Sequence, residues 1–190
     1  MDINSIEPSI KVQLAYSTTE NFLHTDLYKG LKKCYLPAEV AAKLGKAQSY
    51  LKEASPFYNL IIFDATRPLH IQRYMWDSLK LPYTFKINYL AHPDDISLHN
   101  YGAAVDLGLI TDEAVIVDMG TPFDYFGPEA HTEFEQQLLD SAKLTLEQVS
   151  SRLLLRKVMQ KAGFTTIRTE WWHFNACSKV EAEKKFKLIP

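Results

Sequence analysis

The residues Ser97 to Asp106, reading Ser-Leu-His-Asn-Tyr-Gly-Ala-Ala-Val-Asp, constrain the fold more than any other stretch of the chain. His99 and Asp106 are an odd number of residues apart, so one uninterrupted strand would send them to opposite faces of a sheet. Gly102 lifts that constraint, because glycine takes positive φ freely and can bend the chain between them. His99 then approaches from a loop and Asp106 from the strand that follows. In Ala103 to Ile110, Val105, Leu107 and Leu109 share one face, and Asp106 stands on the other between Ala104 and Gly108, whose small size leaves room for a ligand. An imidazole and a carboxylate delivered in this way make half of a metal site. Glu170-Trp171-Trp172-His173 holds a second carboxylate and imidazole, and the two halves together point to zinc-dependent hydrolysis.

A chain of 190 residues suits a single domain spanning 1–190 with a substantial core. Its apolar fraction of 46% and charged fraction of 23% are those of an ordinary globular protein. A net charge of -2, with no run of Lys and Arg beyond pairs, leaves no footprint for nucleic acid. No apolar segment approaches the roughly 20 residues that cross a bilayer, so no membrane partner is expected. Met1 to Ser9 lacks a basic start followed by a hydrophobic block, which makes a cytoplasmic location the expectation and an exported one the alternative if a signal peptide has been removed. Cys34 and Cys177 form no CxxC unit and are given no role. Nothing in the sequence fixes the oligomeric state.

The periodicity predicts an α+β fold, a mainly antiparallel central sheet covered by helices. Ile10, Val12, Leu14 and Tyr16 alternate as a half-buried strand, and Phe22 to Tyr28 reads as a loop. Pro37 opens a helix carrying Val40, Ala41, Leu44, Ala47 and Leu51, and Tyr58 to Phe63 reads as a buried central strand. Pro68 opens a second helix with Ile71, Tyr74, Met75 and Leu79 inward, and Leu81 to Ile96 is an irregular segment over the site. Val115 to Val117 returns as a hairpin partner of the Ala103 strand. Leu146 to Ala162 forms a helix with Val149, Leu153, Val158 and Met159 inward, stopped by Gly163, and Phe164 to Ile167 and Trp171 to Phe174 add the last strands.

A catalytic zinc has three protein ligands and one open position, and His99, Asp106 and His173 supply two nitrogens and one oxygen. Glu170 is then the base. Residues three apart on a flat strand face opposite sides, so a bulge or tight turn near Trp171 has to redirect either Glu170 or His173. The blander alternative, a surface Glu170 beside core aromatics, would prevail for that tetrapeptide alone. It loses because burying four such groups without a metal is costly. Arg67, in Asp64-Ala65-Thr66-Arg67-Pro68, is placed at the end of a buried strand to steady charge on a carbonyl oxygen, against the rival of an Arg67–Asp64 surface pair. His24, His70, His92 and His131 have no partner at ligand spacing, and Asp94, Asp95 and Asp118 read as solvated turn residues.

These motifs resemble the zinc D-alanyl-D-alanine dipeptidases, including those of vancomycin resistance, over most of the chain. The family pattern Ser-x-His-x-x-Gly-x-Ala-x-Asp stands at Ser97 to Asp106 and Glu-x-x-His at Glu170 to His173. Asp-x-x-Arg-Pro stands at Asp64 to Pro68, Gly-x-x-Phe-Asp at Gly120 to Asp124, and the Tyr-x-Thr-x-x-Asn-Phe opening at Tyr16 to Phe22. Two positions depart from the pattern: His24 stands where a glycine is usual and Tyr101 where an arginine is common. The resemblance implies one zinc ion held by His99, Asp106 and His173, Glu170 as base and Arg67 as transition-state stabiliser, in the fold shared with cell-wall D,D- and L,D-peptidases and the hedgehog signalling domain. A small dipeptide is the expected substrate, with Asp124 for its ammonium and Ser97 and Asp64 as further substrate-binding candidates. The alternatives are a carboxypeptidase of the same fold acting on longer muropeptides, and a zinc-stabilised binding domain without catalysis.

Overall fold

A computed structural model describes residues 1–190. In chain order it contains β1 (Lys11–Val12), α1 (Ala38–Ala54), β2 (Tyr58–Asp64), α2 (Leu69–Ser78), α3 (Tyr83–Lys86), β3 (Ala104–Thr111), α4 (Glu135–Asp140), α5 (Leu146–Lys161), β4 (Thr165–Thr166), β5 (His173–Asn175) and α6 (Lys179–Lys185). The five strands form one sheet in the order β1-β2-β3-β5-β4. Three of its neighbouring pairs are antiparallel, but β1 runs parallel to β2, so the sheet is mixed. The parallel pair follows from connectivity: the chain leaves β1, passes through α1, and returns in the same direction.

Val40, Ala41, Leu44, Ala47 and Leu51 recur at helical spacing and turn the inner side of α1 into a solid apolar face. They share one core with Leu155, Val158 and Met159 of α5 and with Val105, Leu107 and Leu109 of β3. Asp106 necessarily faces the other side of the sheet. Its directly opposed neighbours are Asp64 on β2 and His173 on β5, so the three make one polar row across the sheet. A register shift between Ile62 and Asp64 is what brings Asp64 into that row.

Several sequence expectations are corrected. The strand expected from Ile10 to Tyr16 pairs only at Lys11–Val12, because Ala15–Ser17 turns as a short 3-10 helix and carries the Tyr16 ring toward the polar row. Tyr74 and Leu153, expected inward, are 50% and 51% exposed. Buried Gln72 and Arg152 occupy the inward positions beside them, so polar side chains shift the real helix faces away from the purely apolar stripe. Val115 to Val117 bonds to β3 through an isolated bridge instead of forming a strand. The Leu81 to Ile96 segment contains α3 and a short 3-10 turn at Pro93–Asp95. Helix α6 was not anticipated, although Ser178 and Glu181 form the reciprocal cap that starts it. No helix is long and apolar enough to cross a membrane.

Candidate metal centre and substrate cavity

His99 lies in the 3-10 turn Leu98–Tyr101, which Ser97 and Asn100 cap reciprocally. Gly102 ends this turn at φ +64, where a Cβ would meet Thr66 Oγ1 at 2.8 Å and Pro37 Cδ at 2.9 Å. Any other residue would be strained and crowded there, so the bend expected between His99 and Asp106 depends on this glycine. The turn is fastened to the Asp64–Pro68 segment by three bonds: Arg67 N–H to His99 O (3.0 Å), Asn100 Nδ2 to Arg67 O (2.8 Å) and His99 Nδ1 to Ala65 O (2.6 Å).

Because Ala65 O can only accept, His99 carries its proton on Nδ1 and turns the Nε2 lone pair toward the polar row. His173 is set the opposite way. Its Nε2 donates to Asn175 Oδ1 (2.8 Å), two residues along the same strand face, which leaves Nδ1 for the site. His99 Nε2 is then 3.3 Å from His173 Nδ1 and 3.4 Å from Asp106 Oδ2, and His173 Nδ1 is 3.0 Å from Asp106 Oδ1. Ligand atoms of all three residues lie within 4.8 Å of one another, and all three residues are buried. Two imidazole lone pairs and a carboxylate this close repel one another unless protons or a metal cation stand between them. Where protons fill those gaps in place of a metal, burial still raises the Asp106 carboxyl, but the field of a protonated His99 and hydrogen bonds from the protonated His173 and His99 rings outweigh it and hold the group well below the usual carboxylate range.

Glu170 precedes a turn at Trp171-Trp172, and β5 begins only at His173. That turn resolves the spacing problem and brings Glu170 Oε2 to 3.8 Å from His173 Nδ1. Burial pushes the Glu170 carboxyl up to about 8, with His173 opposing the shift and Asp106 and Asp124 adding to it. Asp124 sits in left-handed backbone at φ +60 and accepts a hydrogen bond from Tyr16 Oη at 2.7 Å. Burial raises Asp124 to about 8 as well, against the effect of that bond.

Arg67 is buried with its Nε and Nη2 on Asp64 Oδ2 (2.9 and 2.6 Å), Nη1 on Gln72 Oε1 (3.0 Å), and Nη2 3.8 Å from Asp106 Oδ2. Its guanidinium lies 5.2 Å from the centre of the Tyr16 ring. Burial works against its charge, but Asp64, Tyr16, Tyr28 and Asp106 together outweigh it and keep the guanidinium charged. The Arg67–Asp64 pair therefore exists, though inside the protein and not at its surface. Asp64, expected to touch substrate, stands one layer back: it is fully buried, its other oxygen accepts from Tyr28 Oη at 2.7 Å, and it does not reach the cavity wall.

The remaining candidates converge on one cavity of about 190 Å³, whose wall includes Arg67, Ser97, His99, Asp106, Asp124, Glu170 and His173. Ile87 to Ala91 closes another side of it, as expected for the segment over the site. Ser97 reaches the cavity while its hydroxyl accepts from His99 N–H at 3.3 Å. Sequence reasoning missed Tyr16 as a site residue, and missed the supports Gln72, Asn100 and Asn175. Two of these had a signal: Asn100 stands three residues after the capping Ser97, and Asn175 two residues after His173 on the same strand.

Comparison with known proteins agrees with this geometry. The peptidase M15 family model, described as D-ala-D-ala dipeptidase, matches residues 1–189. A D-alanyl-D-alanine dipeptidase of Escherichia coli is 29% identical over 174 residues, covering 92% of this chain and 82% of the relative. One from Synechocystis is 28% identical, with 78% and 71% covered, and one from Enterococcus faecium is 24% identical, with 90% and 88% covered. A match from end to end, on a mixed α/β fold that presents these residues to one cavity, places the chain in the D-ala-D-ala dipeptidase family of peptidases.

Proposed function

We propose that the chain hydrolyses the D-alanyl-D-alanine dipeptide with one zinc ion held by His99 Nε2, Asp106 and His173 Nδ1. A mixed set of two imidazoles and one carboxylate, with both rings oriented by bonds from their other nitrogens, suits zinc and leaves a coordination position open. Bound there, the ion would polarise the scissile carbonyl and lower the pKa of a water molecule. Glu170 takes the proton of the attacking water on its carboxylate and returns it to the leaving amine. Arg67, fixed by Asp64 and Gln72 and close to Asp106, stabilises negative charge on the former carbonyl oxygen.

The observation that carries this reading is a local shortage of positive charge. Arg67 offsets Asp64, and a dication at the three ligands would offset Asp106 and Glu170. Asp124 is left facing the cavity with no cationic partner among its hydrogen bonds, only the Tyr16 hydroxyl. A free α-ammonium meets that need, and a dipeptide carries one beside its scissile bond, whereas the D-Ala-D-Ala end of a longer peptide has an amide there. The cavity's about 190 Å³ is also below the roughly 300–1,000 Å³ of pockets that hold drug-sized ligands.

The test compares D-Ala-D-Ala, N-acetyl-D-Ala-D-Ala and a muropeptide pentapeptide as substrates for purified protein whose zinc content has been measured. Hydrolysis of the free dipeptide alone, with one zinc per chain, is expected. Glu170→Gln should keep the zinc and lower kcat by about 10²–10⁴-fold. Cleavage of the pentapeptide without the dipeptide would replace this reading with the carboxypeptidase one, and activity that survives Glu170→Gln would remove Glu170 as the base.

A further inference from the structure

The loop that bears Asp124 has little regular structure of its own. Between Met119 and Gly127 it contains no helix or strand, and it holds Asp124 at φ +60, a conformation that costs a non-glycine residue energy. Phe123 and Phe126 anchor it to aromatic neighbours, Phe123 against Trp172 and Tyr16 and Phe126 against Phe22 and Tyr89. Such contacts are not directional, and the bond from Tyr16 Oη to Asp124 at 2.7 Å fixes the rotation of the carboxylate without fixing the backbone that carries it.

Arg152 of α5 supplies direction. Its guanidinium is almost wholly buried, donates from Nε to Met119 O at 2.7 Å and from Nη2 to Glu129 O at 3.0 Å, and so grips the loop at both ends. It also lies 5.8 Å from the centre of the Trp171 ring, whose Nε1 donates to Thr121 Oγ1 at 2.8 Å, a third fixed point within the loop. Trp171 adjoins Glu170, so the ring beside the Arg152 guanidinium belongs to the turn that follows Glu170. Burial pulls the Arg152 pKa down to about 10, and its counter-charge Glu135 stays at 3.9 Å because Arg156 takes the closer ion pair at 2.6 Å. Arg152 Nη1 has no hydrogen-bond partner at all. An apolar side chain of similar length would fill this space without the desolvation cost, so packing does not account for a guanidinium here. Its planar fork, which spans two carbonyls ten residues apart in sequence, does.

We infer that Arg152 is a positioning residue for substrate recognition: by clamping Met119 O and Glu129 O it holds Asp124 where the substrate's ammonium binds. The inference rests on the ammonium role proposed for Asp124. It predicts that loosening the clamp weakens dipeptide binding and leaves the chemical step almost intact, since Arg152 touches neither the metal ligands nor the Glu170 carboxylate.

A double-mutant cycle on the zinc-loaded enzyme tests it, with D-Ala-D-Ala as substrate and KM, kcat, zinc content and thermal midpoint as readouts. Arg152→Met is expected to raise KM about tenfold or more, as loss of a charged hydrogen-bonding anchor does, with kcat within about threefold and zinc retained. In an Asp124→Asn background the same substitution should change KM by less than about twofold, because the clamp then has no carboxylate to position. Equal KM effects in both backgrounds, or a lowered thermal midpoint with KM unchanged, would overturn the positioning role. Asp124→Asn that leaves KM unchanged would instead overturn the ammonium site itself. Should Arg152→Met fail to fold, Arg152→Lys keeps a charge beside Glu135 without the fork and runs the same cycle, with the same outcomes deciding.

Discussion

Two cavities in this protein, a front one and a rear one, take wall residues from the same segment, Ala65 to Pro68. The front one, about 190 Å³, is walled by Arg67, the His99–Asp106–His173 cluster, Glu170 and Asp124. The rear one, about 310 Å³, is walled by Ala65, Thr66 and Pro68 of the same segment and by Leu14, Leu27, Leu31 and Tyr28 among others. By size and apolar lining the rear cavity is the better pocket for a general ligand. It nonetheless has no cluster of lone pairs and none of the carboxylates displaced by burial, both of which gather in front. What marks a reactive site here is unbalanced charge held in a fixed geometry, which costs stability and needs a reason, whereas apolar volume needs none.

The largest effect that would sharpen this contrast belongs to the one side chain that the shared wall sends forward. Arg67→Lys keeps a cation against Asp64 but loses the two-pronged grip on Asp64 Oδ2 and the bond to Gln72. On the oxyanion role proposed for Arg67, kcat should fall by about 10²–10³-fold, measured with metal content unchanged. Unaltered kcat would show that charge alone, and not the fixed fork, is what the front cavity uses.

A smaller effect is expected at Tyr28, which lines the rear cavity yet reaches through the wall to donate to Asp64 Oδ1. Tyr28→Phe leaves one oxygen of a buried carboxylate without its donor, a loss of about 1–3 kcal/mol in stability by urea denaturation. Asp64 Oδ2 keeps both Arg67 bonds, so kcat/KM should move by no more than a few-fold. A loss of activity as large as that of Arg67→Lys would mean that the wall transmits between the cavities instead of separating them.

Much of the front cavity was legible in the sequence because its constraints are local. The odd spacing of His99 and Asp106 demanded a bend, Gly102 was the residue able to supply it, and Glu170 needed the turn that Trp171-Trp172 provides. The family resemblance drawn from those motifs is borne out by the match across the chain. Illegible features depended on tertiary pairing. The register shift between Ile62 and Asp64, which sets Asp64 opposite Asp106, leaves no trace in residue order. Nor does the parallel pairing of β1, which follows from where the chain goes after it. An apolar stripe points to Leu153 and Tyr74 as inward-facing, whereas the fold turns Arg152 and Gln72 inward for hydrogen bonds that only the finished structure defines.

The smallest effect is expected at Leu31 of the rear cavity, and it is the one that could break the contrast. Leu31 lines that cavity and is 40% exposed; its backbone N–H bonds to Tyr28 O, but its side chain has no part in the bonds that hold Asp64 or Arg67. Leu31→Ser removes a partly solvated apolar side chain without stranding any buried polar group, so stability should shift by no more than about 0.5 kcal/mol. Between Leu31 and the His99–Asp106–His173 cluster stand the Tyr28–Asp64–Arg67 bonds and the Ala65 carbonyl that orients His99, none of which this substitution touches. Steady-state kinetics on D-Ala-D-Ala should therefore give the parent kcat/KM. A tenfold fall would show that the rear cavity's packing, through Tyr28, sets the position of Arg67, and the wall would then have to be treated as part of the front site.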